Sequence, residues 1–159
     1  MKKIPDFKFA LTKKLVNNIE FLPSKAHSTD TGYDVRSAEN IVLKPFEYAL
    51  IPLGFRVLIP DGFWLELRPR SSSHAKKHMN CLYGVIDVLY ENCVYFSTQY
   101  LPSENDPKEL VINFGDKIGQ LVPVERLDMN VNCVSNEELD FLFSERNGER
   151  KTGGFGSSG

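Results

Sequence analysis

Cysteine is scarce, and what there is stands badly placed for chemistry that needs pairs. Cys81, Cys93 and Cys133 are odd in number, widely spaced and form no CxxC unit. This excludes a disulfide framework and a zinc ribbon, and it favours a reducing, intracellular compartment. Charge of one sign is also missing. Nineteen Lys and Arg against 21 Asp and Glu leave a formal net charge of −2, too weak a field for stable nucleic-acid binding. No apolar run reaches membrane-spanning length, and Pro5, Asp6 and Lys8 interrupt any signal-peptide core at the start. The expectation is a cytoplasmic protein without a membrane partner, compatible also with a nuclear setting or a phage-infected host cytoplasm.

A helical stripe is absent as well. Over residues 41–69, "IVLKPFEYALIPLGFRVLIPDGFWLELRP", short apolar runs are cut by Pro45, Pro52, Gly54, Pro60 and Asp61-Gly62. No i, i+3, i+4, i+7 pattern survives those breaks. Period-two alternation does, as in Leu65 and Leu67 against Glu66 and Arg68. Further short strands are expected at 80–83, 85–89, 93–100, 110–113 and 117–124. The one helix candidate is "SNEELDFLF", where Ser135 and Glu138 form a capping box. A chain of 159 residues, 42% hydrophobic, can form one domain held by packing alone. Many short strands with regular turn signals predict an all-β sandwich, jelly roll or small barrel. Low complexity is confined to the end, "RNGERKTGGFGSSG", which holds four of the eleven glycines in its last seven residues.

Polar clusters interrupt this β background. In "STDTGYDVRS", Gly32 and Tyr33 lead into Asp34, either a ligand-facing carboxylate or an Asp bonded to its own turn. "LRPRSSSHAKKH" offers the planar fork of Arg70 with Ser71, Ser72 and Ser73, donors suited to an oxyanion; the alternative is a solvated basic loop. His74 and His78 lack a third ligand, which argues against zinc. "YGVIDVLYENC" reads as a hairpin with Asp87 inside an apolar strand, three residues before Tyr90. A carboxylate buried there must be paired, hydrogen-bonded or used. In "NFGDKIGQLVPV", Gly115-Asp116 marks a turn and Gln120 is the lone amide of an apolar run.

Taken in order, Asp34, "PRSS", "GVIDxxY", "GDKIGQLV" and "RxxGGFGSSG" resemble the five motifs of the trimeric dUTP diphosphatases (dUTPases), over residues 26–159. The resemblance implies an all-β, distorted jelly-roll domain over residues 1–145, with at most one short helix, and a flexible C-terminal arm over 146–159. It implies hydrolysis of dUTP to dUMP and pyrophosphate, with Mg2+ held by the triphosphate and water rather than by the protein. Asp87 then corresponds to the carboxylate that activates water, and Tyr90 to the ring beneath the deoxyribose. Gly84, Val85 and Ile86 belong to the uracil-pairing segment, and Tyr95 joins the substrate contacts. Arg70, Ser71 and Ser72 match the phosphate loop, with Ser71 on the oxygen bridging the α and β phosphorus. Gln120 faces the phosphates. Asp34 holds metal-bound water or a basic partner rather than the ion. Arg150 reaches the γ-phosphate, Phe155 covers the uracil, and Gly156, Ser157 and Ser158 offer donors to the terminal phosphate. A homotrimer with shared active sites is implied too.

Some positions depart from the family pattern. Asn92 stands where a Gly is usual, in a turn where Asn tolerates left-handed backbone. Asn80 lies farther from Gly84 than the family's polar residue does. Residues 97–110, "STQYLPSENDPKEL", read as an insert like those of phage enzymes and have no assigned role. Rival readings are a dCTP deaminase of the same fold and a trimeric regulatory protein that keeps the pocket.

Overall fold

The computed structural model describes residues 4–146, so Arg150, Phe155, Gly156, Ser157 and Ser158 lie outside the described residues. It has two compact units, one through Leu127 and one from Asp128. Among its described residues the first contains eleven short strands: β1 (Lys8–Leu11), β2 (Tyr33–Arg36), β3 (Ile41–Leu43), β4 (Tyr48–Pro52), β5 (Phe55–Leu58), β6 (Phe63–Pro69), β7 (Met79–Cys81), β8 (Gly84–Ile86), β9 (Tyr95–Tyr100), β10 (Leu110–Ile112) and β11 (Lys117–Glu125). Proline and glycine set their lengths as expected. Gly62 closes the turn after β5 at φ 83° and Gly115 the turn before β11 at φ 87°, left-handed conformations that glycine adopts without steric cost.

The strands pair antiparallel as a four-stranded sheet β2-β11-β6-β8, a three-stranded sheet β4-β9-β7, and the ribbons β1-β5 and β3-β10. Inward residues of these sheets, among them Val35, Ile51, Phe55, Leu67, Phe96, Ile112 and Leu121, form one buried cluster. The all-β expectation holds. The hairpin expectation does not: β8 pairs with β6, whereas β7 and β9 belong to the other sheet. The turns after Ile86 and Ile112 are corners between sheets, not hairpin ends. Corners of this kind let a sandwich close its core.

Among the described residues there are two α-helices rather than at most one. The helix α1 (Ser71–Ala75) follows Arg70, whose backbone is still extended at φ −81° and ψ 152°. Nothing in a three-serine run favours a helix; tertiary contact supplies the reason, since the buried Ser73 donates its hydroxyl to the Ile118 carbonyl at 2.8 Å. The helix α2 (Asn136–Ser144), in the second unit, is the one expected. Its N-cap Ser135 accepts from the Glu138 amide at 3.1 Å. The strand β1 escaped the sequence reading because four residues carry too little alternation. Asn92 does not adopt the left-handed backbone allowed for it; among the described residues the non-glycine ones that do are Phe46 and His78.

At Gly119 the two main sheets come close together. A Cβ there would stand 2.7 Å from the Phe96 ring and 3.1 Å from the Arg68 carbonyl oxygen. Phe96 is fully buried, so the ring has little room to retreat. Gly119→Ala is expected to lower stability by about 1–3 kcal/mol, the usual cost of overpacking. The denaturant midpoint measures it, and an unchanged midpoint would show that the ring yields freely.

Candidate active site

The centre of the four-stranded sheet brings several expected residues together. On β2, Asp34 lies opposite Gln120 of β11, which lies opposite Arg68 of β6. Asp34 Oδ1 takes the Arg70 Nε at 2.9 Å, and Oδ2 takes the Lys117 ammonium at 2.8 Å. Asp34 is therefore no self-bonded turn residue, and Arg70 is no free solvated cation. The carboxylate is half-buried and both partners are about a third exposed, so the pairs fix geometry more than they add stability.

Lys117 was not singled out from the sequence. Three residues before Gln120, a regular strand would place it on the opposite face. A register shift between Lys117 and Gly119 inserts one extra residue, a bulge that turns Lys117 onto the face of Asp34 and Gln120. Nothing in "GDKIGQLV" announces that bulge.

Gln120 is aimed by its neighbours. Its Nε2 donates to the Pro69 carbonyl at 3.1 Å, on the residue before Arg70. Gly32 makes room for the amide, since a Cβ at that position would fall 2.0 Å from Gln120 Oε1. Ser71 and Ser72 open α1 directly after Arg70, Ser71 exposed and Ser72 half-buried. Ser73 is the serine committed to structure, through Ile118.

The other expected residues gather elsewhere. Gly84 lies opposite Leu67 on β6, Val85 opposite Glu66, and Ile86 opposite Leu65. The strand then ends, so Asp87 is not inside it. Ile86 faces the core and Asp87, the next residue, faces solvent, which corrects the expectation of a buried carboxylate. Asp87 and Tyr90 occupy the two ends of one turn, closed by the Tyr90 amide on the Asp87 carbonyl at 3.1 Å. That accounts for their spacing of three. The Tyr90 hydroxyl donates to the Cys93 carbonyl at 2.8 Å, and Arg56 Nε donates to the Glu91 carbonyl. Tyr90 borders a cavity of about 440 Å³ beside Lys8 and Arg56. Tyr95, at the start of β9, borders another of about 450 Å³ with Thr12 and Pro52.

Among the described residues no group of three or more His, Cys, Asp or Glu side chains could hold a metal ion. The oxygens of Asp34 are already paired with two cations.

Comparisons with known proteins identify the family. The family model described as dUTPase matches residues 20–159. The deoxyuridine 5'-triphosphate nucleotidohydrolase of Hydrogenobaculum sp. is 33% identical over 152 residues, covering 94% of this chain and 96% of its own. The enzyme of the same name from the Wolbachia of Brugia malayi is 38% identical over 144 residues, covering 87% and 85%. Among solved structures, the Staphylococcus bacteriophage 80alpha dUTPase with dUPNHPP superposes with a TM-score of 0.78 at 27% identity, over 97% of this chain and 98% of its own. The dUTPase of phage phi11 of S. aureus, solved to visualise its species-specific insert, gives 0.71 at 27% identity over 82% and 97%. A profile match over nearly the whole length, the strand order and the polar centre around Asp34 lead to one conclusion: this chain belongs to the dUTPase family.

Proposed function

We infer that this dUTPase cleaves dUTP to dUMP and pyrophosphate at sites shared within a homotrimer, where three chains build each site: Asp87 and the phosphate loop come from different copies, and the C-terminal arm closes over a neighbouring subunit's site. The carrying observation is the register of β6. Asp87 follows Ile86, which pairs with Leu65, so it sits level with Trp64. The phosphate loop begins only after Pro69. Five strand steps separate those levels, roughly 16 Å at ~3.3 Å per residue. One α-phosphorus cannot touch both Asp87 and Ser71 of the same chain. The outer face of the sheet supports the same reading. Beyond Gln120 it continues through Val122 and Val124, with Trp64 and Val85 on the neighbouring strands, and Val85 is 64% exposed in the single chain. A closed cyclic assembly covers such a face and joins the far ends of β6 from different copies; a homotrimer fits the family.

In this reading Asp87 accepts a proton from water as the water oxygen bonds the α-phosphorus. The bond from that phosphorus to the bridging oxygen breaks, and pyrophosphate leaves with the electron pair. Arg70, Ser71, Ser72 and Gln120 receive the phosphates, with Ser71 on the bridging oxygen. Asp34 holds the Arg70 fork in place from one side and takes Lys117 on the other. Gly84, Val85 and Ile86 present backbone groups to uracil, Tyr90 supports the deoxyribose, and Tyr95 joins the substrate contacts. Magnesium, carried by the triphosphate as part of the substrate, offsets its negative charge; a phi11 dUTPase structure describes a structural Mg(II) ion in that protein. Residues 1–145 act as the catalytic domain and 146–159 as the arm. In the arm Arg150 takes the γ-phosphate, Phe155 covers the uracil, and Gly156, Ser157 and Ser158 bind the terminal phosphate. Closure of that kind excludes bulk water from the reacting centre. The free thiols of Cys81, Cys93 and Cys133 favour a reducing compartment, and we place the enzyme in the cytoplasm. No helix among the described residues is long and apolar enough to cross a membrane.

Asp87→Asn is expected to reduce dUTP turnover by at least about 100-fold, within the range of general-base contributions. Calorimetric titration with a non-hydrolysable analogue should show binding retained. Normal turnover in that variant would remove Asp87 from its role. Placing Asp87 and the phosphate loop on different copies makes a sharper prediction. Asp87→Asn and Ser71→Ala chains, each nearly inactive, are refolded together in equal amounts. Random assembly should restore roughly a quarter of wild-type activity. A mixture no better than its components would mean that each site belongs to a single chain.

A further inference from the structure

Residues 101–109 take no part in the chemistry above, yet they are not a loose loop. Asp106 accepts from the Ser103 amide and donates its own amide to the Ser103 carbonyl at 3.1 Å. At the near end Tyr100 is buried and its hydroxyl donates to the Pro107 carbonyl at 2.8 Å. Burial, with the Asp106 charge nearby, pushes the Tyr100 phenol up, so it stays a donor. At the far end Leu110 is buried in β10.

This closed segment is fastened to the residues that follow the phosphate loop. The His78 Nδ1 meets the Asp106 carboxylate, with the Ser103 hydroxyl also near it at 3.5 Å. A neutral ring protonated on Nδ1 and an imidazolium both donate there. The Leu101 amide donates to the His78 carbonyl at 3.0 Å. His78 itself is left-handed at φ 50°, a conformation that side-chain-bearing residues hold only where surrounding contacts fix it. From His78 the hydrogen bonds run back into α1: its amide donates to the His74 carbonyl, and the Lys76 amide donates to the Ser72 carbonyl, each at 3.1 Å. The opposite side of α1 is tied to β11 and its turn by Ser73 on Ile118 and by Lys77 on Asp116 at 3.3 Å. The helix that begins with Ser71 is thus held between two anchors, and the second is the His78–Asp106 pair.

We propose that the His78–Asp106 pair makes residues 101–109 a strap that positions the phosphate loop, with Asp106 and His78 as positioning residues acting through α1 on Ser71 and Ser72. The proposal rests on the reading of residues 70–72 as the phosphate loop. Losing the pair frees the left-handed backbone at His78, and the helix start shifts relative to the sheet that carries Gln120. Geometry of this kind governs turnover strongly, because small misplacements of reacting groups are costly.

The test uses the full-length protein, with dUTP hydrolysis followed well below each variant's measured unfolding midpoint. Asp106→Asn leaves one neutral amide oxygen for the Ser103 amide and His78 Nδ1 to share and removes the charge that holds the ring. It is expected to lower kcat/KM about 3- to 30-fold, partly in kcat, with the unfolding midpoint nearly unchanged. His78→Asn, which tolerates the left-handed backbone, should reproduce the loss, and the double variant should be no worse than either. In a Ser71→Ala background the Asp106→Asn penalty should shrink below about twofold, a coupling that a merely stabilising contact would not show. Glu104→Gln, in the same segment but outside the pair, should leave turnover unchanged. Wild-type kcat/KM in Asp106→Asn, or a full penalty persisting in the Ser71→Ala background, overturns the strap. Wild-type turnover in Ser71→Ala itself overturns the phosphate-loop reading, and the strap with it.

Discussion

Strand β6 lies between β11 and β8, and its antiparallel register with each is the constraint on which the rest depends. Leu67 opposite Gly84 and Arg68 opposite Gln120 put the start of β8 and the Gln120 amide on neighbouring rows. The same ladder fixes Asp87 at the far end, beyond Ile86. Backbone hydrogen bonds set these rows, and a slip of one residue would turn every outward group into the core. Gly119 protects the register, because only a residue without a side chain lets β11 pass so close to Phe96 and the Arg68 carbonyl.

Around this ladder the charged groups are organised by one carboxylate. Asp34 accepts from Arg70, at the end of β6, and from Lys117, at the start of β11. Two strand ends that are separate in sequence thereby meet at a common point. A planar guanidinium held by its Nε keeps its remaining donors in one plane, which suits a phosphate group better than a freely rotating ammonium would. Gln120, seated over Gly32 and bonded to Pro69, adds a neutral donor to the same edge. The loop start is stiffened twice more from below, through Ser73 and Lys77 to β11 and through His78 to the segment after β9.

The turn that carries Asp87 has a different character. It is exposed, short, and fixed by backbone and side-chain bonds among Asp87, Tyr90, Cys93, Arg56 and Glu91. A carboxylate in water needs no compensating partner, so the fold tolerates it at no cost. Its apolar neighbours in sequence, Ile86 and Val88, do not bury it, because Ile86 faces the core and the next residue faces the other way.

Turn chemistry was legible in the sequence, because Asp61-Gly62 and Gly115-Asp116 demand backbone conformations that few other pairs adopt. So were strand character, through period-two alternation, and the start of α2, through Ser135 and Glu138. The polar motifs were legible one at a time: Asp34, Arg70 with its serines, Asp87 with Tyr90, and Gln120. Local sequence could not say which sheet receives the chain after a corner, since the same turn joins a hairpin or crosses a sandwich. It could not show the bulge that brings Lys117 to Asp34, nor the serine helix stabilised by a carbonyl 45 residues away. Nor could it show the separation of Asp87 from Ser71 along β6. Those features come from long-range pairing, whose energy is absent from any window of neighbouring residues. Residue type determined what each motif can do chemically, and the tertiary ladder alone decided which of them meet.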